Sequence, residues 1–399
     1  MKPIASFIQN TPRRHFFLFR QALGLLGILI IGVIVAIVFF VMQGKEKMLE
    51  AQKSQLQVAA QSLSSQLVDL KNEDQFVKNA KLSEEMTNMQ TTYAQAVSVY
   101  ELLLDLRAVT RDTAKLEQAF ADSLANISKR QWASAAAQLK LLSTDIETTK
   151  VKIASTFVIP ANVTESNTAP SAGFSRQSVK TDSGTFLVDM VAADMATTKV
   201  VVDTASNETC ARDCPVLSLA DYVSRSGAFA GINGSYFCPA DYPSCADKKN
   251  SFDTLLMNKN KVYFNSDNNV YSTVPAVIFL GGSMRFVGRS LDWGRDTGVD
   301  GVLANQPLLL SGGNIAFGGG SDPKQGSRGN RSFVGNKGTI AYIGVVHNAT
   351  VAEVAIVLKE LGLDGALNLD SGGSTALWSG GYKAGPGRGI PNAILFVRK

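Results

Sequence analysis

Leu367-Asn-Leu-Asp-Ser-Gly-Gly-Ser-Thr375 is the stretch on which the reading of the C-terminal half turns. A short apolar strand runs into a Gly-Gly turn flanked by hydroxyls. Alternate strand positions share a face, so Asn368 and Asp370 leave the strand on the same side. The turn amides can bind an anion, with the Asp370 carboxyl beside them. Upstream, Val351, Val354, Leu358 and Leu361 mark one face of a helix over 350–361, and Gly362 is a natural stop. A second helix is predicted over 217–225. Short apolar runs surround both, at 185–191, 199–202, 228–232, 254–257, 261–264, 276–280, 284–287, 302–303, 307–310, 314–317, 332–334, 339–345, 366–368 and 393–397. Asn258-Lys-Asn260, Gly281-Gly-Ser283, Ser311-Gly-Gly313 and Asn336-Lys-Gly338 read as hairpin turns. This order predicts an α+β domain with a mixed β-sheet over residues 179–399.

Two more segments carry a particular pattern. In Gly231-Ile-Asn-Gly-Ser-Tyr-Phe237 an apolar run ends in a polar, Gly-containing turn and two aromatics. Arg331-Ser-Phe-Val-Gly335 enters a hairpin. Taken in order, and with Asn305-Gln-Pro-Leu-Leu309 between them, these segments resemble the phosphodiester glycosidase family. Its pattern is N-G-G-(F/Y)-F, a G-x-P-x-L hairpin, R-(S/T)-x-(I/V)-G, then a helix ending before N-L-D-G-G-G-S. The resemblance spans about residues 180–399. Ser235 and Ser371 stand where the family has Gly, and Asn305-Gln306 opens the hairpin in place of Gly. The family includes the lysosomal uncovering enzyme, which removes N-acetylglucosamine from a phosphodiester, and bacterial proteins linked to exopolysaccharide.

The resemblance implies a hydrolase for a sugar-phosphodiester linkage in a cell-surface or exopolysaccharide glycan. Asp370, Arg331 and Asn233 are the expected catalytic residues. Asp370 would be general base, nucleophile or metal ligand, and Arg331 would hold the phosphate. Gly234, Tyr236, Asn368, Gly372, Gly373 and Ser374 would bind substrate, with Tyr236 stacking on a sugar face. Such a set suits a glycosyl phosphodiester. Phosphate leaves readily, so the usual demand for two carboxylates relaxes and charge stabilisation becomes the main task. The alternative is a carbohydrate- or cell-wall-binding module without turnover. No cofactor is expected and no metal site is assigned, although Asp370, Asp364 and Asn368 offer oxygens to a divalent cation. Only two histidines exist, His15 and His347, which excludes a His-rich zinc site; His347 is expected in a turn or helix-cap role.

The rest of the chain differs in composition. Of 399 residues, 45% are hydrophobic and 18% charged, which excludes a disordered chain. The net charge of +5 is too small for this length to indicate nucleic acid. Residues 45–159 contain neither Gly nor Pro, so they read as helix. Leu49, Leu56, Leu63, Leu70 and Val77 recur every seven residues, one apolar stripe of a weak coiled coil that could join copies of the chain. Further stripes run through Tyr93, Val97, Tyr100 and Leu104, and through Trp132, Leu139, Leu142 and Ile146. Ser128-Lys-Arg-Gln131 predicts a helix start near Lys129.

Residues 21–44 are uncharged. Twenty apolar residues at about 1.5 Å rise span a hydrocarbon core of about 30 Å. The expectation is therefore a cytoplasmic tail at 1–20, a transmembrane signal-anchor helix at 21–44, an all-α helical stalk at 45–155 and a linker at 156–178. Lys2, Arg13, Arg14 and Arg20 would keep the N-terminus cytoplasmic and place the C-terminal domain outside, periplasmic or extracellular. Cys210, Cys214, Cys238 and Cys245 then read as two disulfides, with three pairings open.

Overall fold

The computed structural model describes residues 14–72, 74–266, 273–296 and 298–399; for residues 14–28, 30, 72 and 74 it describes the helical backbone alone. The chain divides into two compact units, Met1–Thr87 and Asn88–Lys399.

The first unit contains α1 (Arg14–Asn72) and the start of α2 (Asp74–Arg107). Leu49, Leu56, Leu63, Leu70 and Val77 all remain exposed, so nothing described in this chain covers that stripe. The transmembrane anchor expected at 21–44 is corrected: among the described residues no helix is long and apolar enough to cross a membrane. The single-pass topology built on that anchor falls with it. Residues 1–13 of the expected tail lie outside the described residues.

In the second unit the rest of α2 packs against α3 (Ala114–Ser128) and α4 (Trp132–Ser155). Ala96, Val99, Leu103 and Leu106 meet Ile127, Leu139, Leu142 and Ile146, every one buried. The buried stripe of α2 lies one position away from the expected one, and Tyr100 instead stacks on Phe120 at the edge, with ring centroids 5.6 Å apart. Ser128 closes α3, its hydroxyl donating to the Ala125 carbonyl at 2.7 Å, and α4 begins only at Trp132.

The β-rich part follows. Its elements are β1 (Thr164–Glu165), β2 (Gly173–Thr181), β3 (Gly184–Asp194), β4 (Thr198–Thr204), α5 (Leu219–Ser226), β5 (Ala230–Asn233), β6 (Leu256–Met257), β7 (Tyr263–Phe264), β8 (Ala276–Leu280), β9 (Ser283–Val287), β10 (Gly301–Ala304), β11 (Leu308–Ser311), β12 (Asn314–Ile315), α6 (Pro323–Gly326), β13 (Gly329–Lys337), β14 (Ile340–Ala349), α7 (Val351–Glu360), β15 (Gly365–Asn368), β16 (Leu377–Ser379), β17 (Tyr382–Ala384) and β18 (Asn392–Arg398). They form three sheets: β1-β2-β3-β14-β13-β15-β11-β12, β7-β6-β10-β8-β9 and β17-β16-β5-β18-β4. β1 and β2 pair in parallel and the other described pairs are antiparallel, so the α+β reading with a mixed sheet holds. All four hairpin turns join the strands they separate. β2 starts inside the segment read as a linker.

One apolar core lies between the sheets, with Val191, Val202, Ile232, Leu303, Val334, Ile343, Leu367 and Phe396. Strand alternation supplies a second face to the large sheet, where Phe333, Tyr342 and Ala366 meet Val354, Leu358 and Leu361 of α7. α5 covers the sheet containing β5 in the same way, through Leu219, Tyr222 and Val223. Both helices start on capping boxes. In α7, Thr350 Oγ1 accepts from the Glu353 amide at 3.2 Å and Glu353 Oε2 accepts from the Thr350 amide at 2.8 Å. Disulfides Cys210–Cys214 and Cys238–Cys245 select one of the three open pairings. Thr350→Ala is expected to cost about 1 kcal/mol by removing the cap of α7, read as a lower urea midpoint with an unchanged slope.

Candidate functional site

Two strands from different sheets end at the same place. β5 ends at Asn233 and β15 at Asn368, and the chain beyond each is tied to the other. The Asp370 amide donates to the Gly234 carbonyl at 2.9 Å. Asn233 Nδ2 donates to the Asp370 carbonyl at 2.6 Å, while its Oδ1 accepts from Ser332 Oγ at 2.9 Å and from the Ala376 amide at 3.1 Å. Three more fully buried asparagines complete the seam. Asn305 Nδ2 donates to the Asn368 carbonyl at 2.8 Å, and its Oδ1 accepts from the Tyr236 amide at 2.9 Å. Asn392 Oδ1 accepts from the Ser235 amide at 2.8 Å, and its Nδ2 donates to Ser235 Oγ at 3.0 Å. Asn368 Nδ2 donates to the Tyr236 hydroxyl at 2.7 Å and to the Gln306 carbonyl at 3.0 Å. Its Oδ1 is buried without a partner among the described residues.

Gly234 is dictated by this seam, because a Cβ there would overlap the Asn392 side-chain oxygen. The two serines that replace family glycines are both accommodated. Ser235 pairs with Asn392, and Ser371 Oγ donates to the Leu369 carbonyl at 3.2 Å while accepting from the Ser332 amide at 3.3 Å.

Asp370 lies partly buried where the seam opens. Its Oδ1 accepts from the Ser371 amide at 2.9 Å. Burial pushes the carboxyl up to about 6, against the opposing pull of Ser374, the Ser371 amide, Arg388 and Lys324. The turn that follows, Gly372–Ser374, is a single 3-10 turn. Gly372 has φ +65°, which favours glycine, and a Cβ at Gly373 would overlap the Arg388 guanidinium.

Arg331 is buried, and much of its guanidinium is engaged. Nε donates to the Ala349 carbonyl at 3.1 Å, and Nη2 to the Lys324 carbonyl at 2.7 Å and to the Ser327 carbonyl. It thereby anchors α6 beside the site. Burial lowers its pKa, opposed by Tyr236, Asp322, Asp105 and Asp370, yet an arginine remains charged. Burial, then the Asp370 charge, raises the Tyr236 hydroxyl above its ordinary value, so it is a neutral donor.

The structure therefore gathers Asn233, Gly234, Tyr236, Arg331, Asn368, Asp370, Gly372, Gly373 and Ser374 around one seam. Sequence reasoning missed Arg388 and Lys324, the cations whose fields reach Asp370, and it missed the clamps Asn305 and Asn392. Lys324 sits in the short polar helix α6, and Arg388 follows Gly385-Pro-Gly387, so composition alone marks neither. Asp364 does not join the site. It precedes β15 while Asp370 follows it, about 20 Å apart at strand rise, and its Oδ2 accepts from the Gly338 amide at 2.6 Å. The two carboxylates cannot share a cation. Among the described residues, no group of three His, Cys, Asp or Glu could hold a metal.

His347 has a different role from the turn or cap expected of it. Its Nε2 lies 2.9 Å from Asp189 Oδ2, and its Nδ1 lies 3.1 Å from Asn330 Oδ1. Arg176 binds the same buried carboxylate through two 2.7 Å hydrogen bonds. Burial alone would raise the Asp189 pKa, but these partners hold it below the ordinary value. Replacing Asn233 with Ala would strand the Ser332 hydroxyl, the Ala376 amide and the Asp370 carbonyl together. At about 1–3 kcal/mol for each buried group left unpaired, Asn233→Ala is expected to lose at least 3 kcal/mol, measured by chemical denaturation.

Comparison with known proteins bears on this seam. The family model for phosphodiester glycosidases matches residues 226–397, which contain all the gathered residues. No curated protein matches the chain. Among solved structures, a hypothetical protein from Synechocystis shares 14% identity at a TM-score of 0.41; the alignment covers 56% of this chain and 62% of that one. The catalytic domain of zebrafish N-acetylglucosamine-1-phosphodiester alpha-N-acetylglucosaminidase, auto-inhibited by its pro-peptide, shares 15% at a TM-score of 0.43, covering 59% of this chain and 87% of that one. A putative exported protein from Burkholderia pseudomallei shares 11% at a TM-score of 0.36, covering 53% and 74%. This chain thus spans 62% of the length of the Synechocystis protein. What the comparisons show is thus a match of residues 226–397, within the β-rich part of this chain, to the phosphodiester glycosidase family.

Proposed function

We propose that this protein hydrolyses a glycosyl-1-phosphodiester, of the kind present in a cell-surface or exopolysaccharide glycan. The observation that carries the reading is the placement of Asp370: it is tied to Gly234 and Asn233 at the head of a Gly-Gly turn that packs on the Arg388 guanidinium. Water attacks the anomeric carbon, the bond from that carbon to the phosphate oxygen breaks, and the phosphate monoester leaves with the electron pair. Asp370, ionised, takes the proton of the attacking water. Arg388 and Lys324, with Arg331 behind them, offset the charge of the phosphate. The Tyr236 hydroxyl offers a hydrogen bond to the substrate, a role that its tie to Asn368 favours over ring stacking. Asn233 acts by holding Asp370 in place.

The two disulfides fit an oxidising, extracytoplasmic compartment. The exposed seven-residue stripe on α1 supports self-association of the helical segment.

An ionised Asp370 requires kcat/KM to rise with pH through about 6 and then level off. Asp370→Asn is expected to lower sugar release by about a hundred- to ten-thousand-fold. Wild-type rates in Asp370→Ala, or binding of substrate with no product, would refute the hydrolase reading. Asp370 also has a stability signature. Its folded pKa lies above the ordinary 3.8, so the fold gains stability as pH falls through about 6 and loses it as pH rises. Asp370→Asn should therefore be more stable than wild type at pH 7.5, by on the order of 2–3 kcal/mol in urea unfolding, a gain that shrinks below pH 5.

A further inference from the structure

The helical segment touches the rim of the site at one loop. Asp105 of α2 accepts a hydrogen bond from the Tyr242 hydroxyl. One turn earlier, Glu101 Oε1 accepts from the Ser244 amide at 3.0 Å. Positions four apart share a helix face, so α2 presents two carboxylates to the segment closed by Cys238–Cys245. That segment begins two residues after Tyr236.

The ring of Tyr242 is where this contact reaches the chemistry. Arg388 Cζ lies 5.3 Å from its centroid and Lys324 Nζ lies 5.1 Å from it. Asp241 adds an ion pair to Arg388 at 3.3 Å. Arg388 is also tied to the turn, its amide donating to the Gly373 carbonyl at 2.9 Å. Both cations whose fields reach Asp370 therefore rest on a ring whose far end is held by the helical segment. Burial, then the charge of Asp105, raises the Tyr242 hydroxyl, so it stays a neutral donor. A hydrogen bond to a carboxylate is about twice as strong as a neutral one, and a spacer helix would need no acid at this position.

We propose that Asp105 is a positioning residue for the phosphate site, fixing Arg388 and Lys324 through Tyr242. On this proposal the helical segment belongs to the working site and does more than carry the β-rich domain. The inference rests on the phosphodiester reading, because it assigns those two cations to the phosphate.

The test uses the full chain with a glycosyl-1-phosphodiester for turnover and inorganic phosphate for binding by calorimetry. Asp105→Ala and Tyr242→Phe should each raise KM about tenfold with kcat within about twofold, and weaken phosphate binding in parallel. The double variant should be no worse than the poorer single variant, since both cut the same link. Asp105→Asn keeps an acceptor without the charge and should fall between. Tyr242→Phe decides the matter if Asp105→Ala proves unstable. Wild-type KM and phosphate affinity in folded Tyr242→Phe would overturn the proposal. Phosphate binding weakened in both variants, in a wild-type protein that releases no sugar, would overturn the glycosidase reading and leave the positioning role standing.

Discussion

The backbone of Asp370 is held on both sides by the last residue of β5 and the one after it. Its carbonyl takes the Asn233 side-chain amide and its own amide donates to Gly234. Every other feature of the site depends on that double tie. It joins two sheets at their strand ends, where ladder pairing has stopped and backbone groups need other partners. Fully buried side-chain amides supply them. An asparagine has both a donor and an acceptor on a short, stiff stem, so one residue can bridge two strands without adding charge. Four such residues, Asn233, Asn305, Asn368 and Asn392, fix the paths of 233–236 and 368–371.

That rigidity permits the electrostatics. A freely turning carboxyl would swing to water and keep its ordinary pKa, whereas one clamped in the mouth of the seam keeps part of the penalty of burial. The cations around Asp370 do not cancel the penalty. Arg388 leans on Tyr242 and Asp241, Lys324 on Tyr242, and Arg331 spends Nε and Nη2 on backbone carbonyls. The fields of Arg388 and Lys324 reach Asp370, yet among the described residues neither forms a direct ion pair with it. A carboxylate near 6 can accept a proton in the neutral range.

Much of this could be read in the amino-acid sequence, for a local reason. Hairpin turns such as Gly281-Gly282 and Asn336-Lys-Gly338 carry their own conformational signal. The apolar face of α7, with its Thr350 and Glu353 box, needs no tertiary partner to be recognised. Asn368, Asp370 and the Gly-Gly turn are contiguous, so their chemistry was visible as one motif. Errors arose where packing decides between neighbouring possibilities. The buried stripe of α2 is shifted by one residue because three helices share its core. β2 was hidden in a Ser-, Thr- and Gly-containing stretch, since its strand character comes from pairing with β3. His347 looked like a turn residue until β14 brought it to the buried Asp189.

The sequence by itself determined the helical N-terminal half, the strand-rich C-terminal half, the four cysteines and the order of the site segments, because each is encoded in nearby residues. Only the tertiary structure decided the disulfide pairing and the separation of Asp364 from Asp370. It alone brought Arg388, Lys324 and Asn392 to the site and set Asp105 against Tyr242. The disulfides span only four and seven positions, but the contacts of Arg388, Lys324, Asn392 and Asp105 join residues tens to hundreds of positions apart. Their partners are chosen by the crossing of the sheets and the docking of α2, which no local pattern of polarity records.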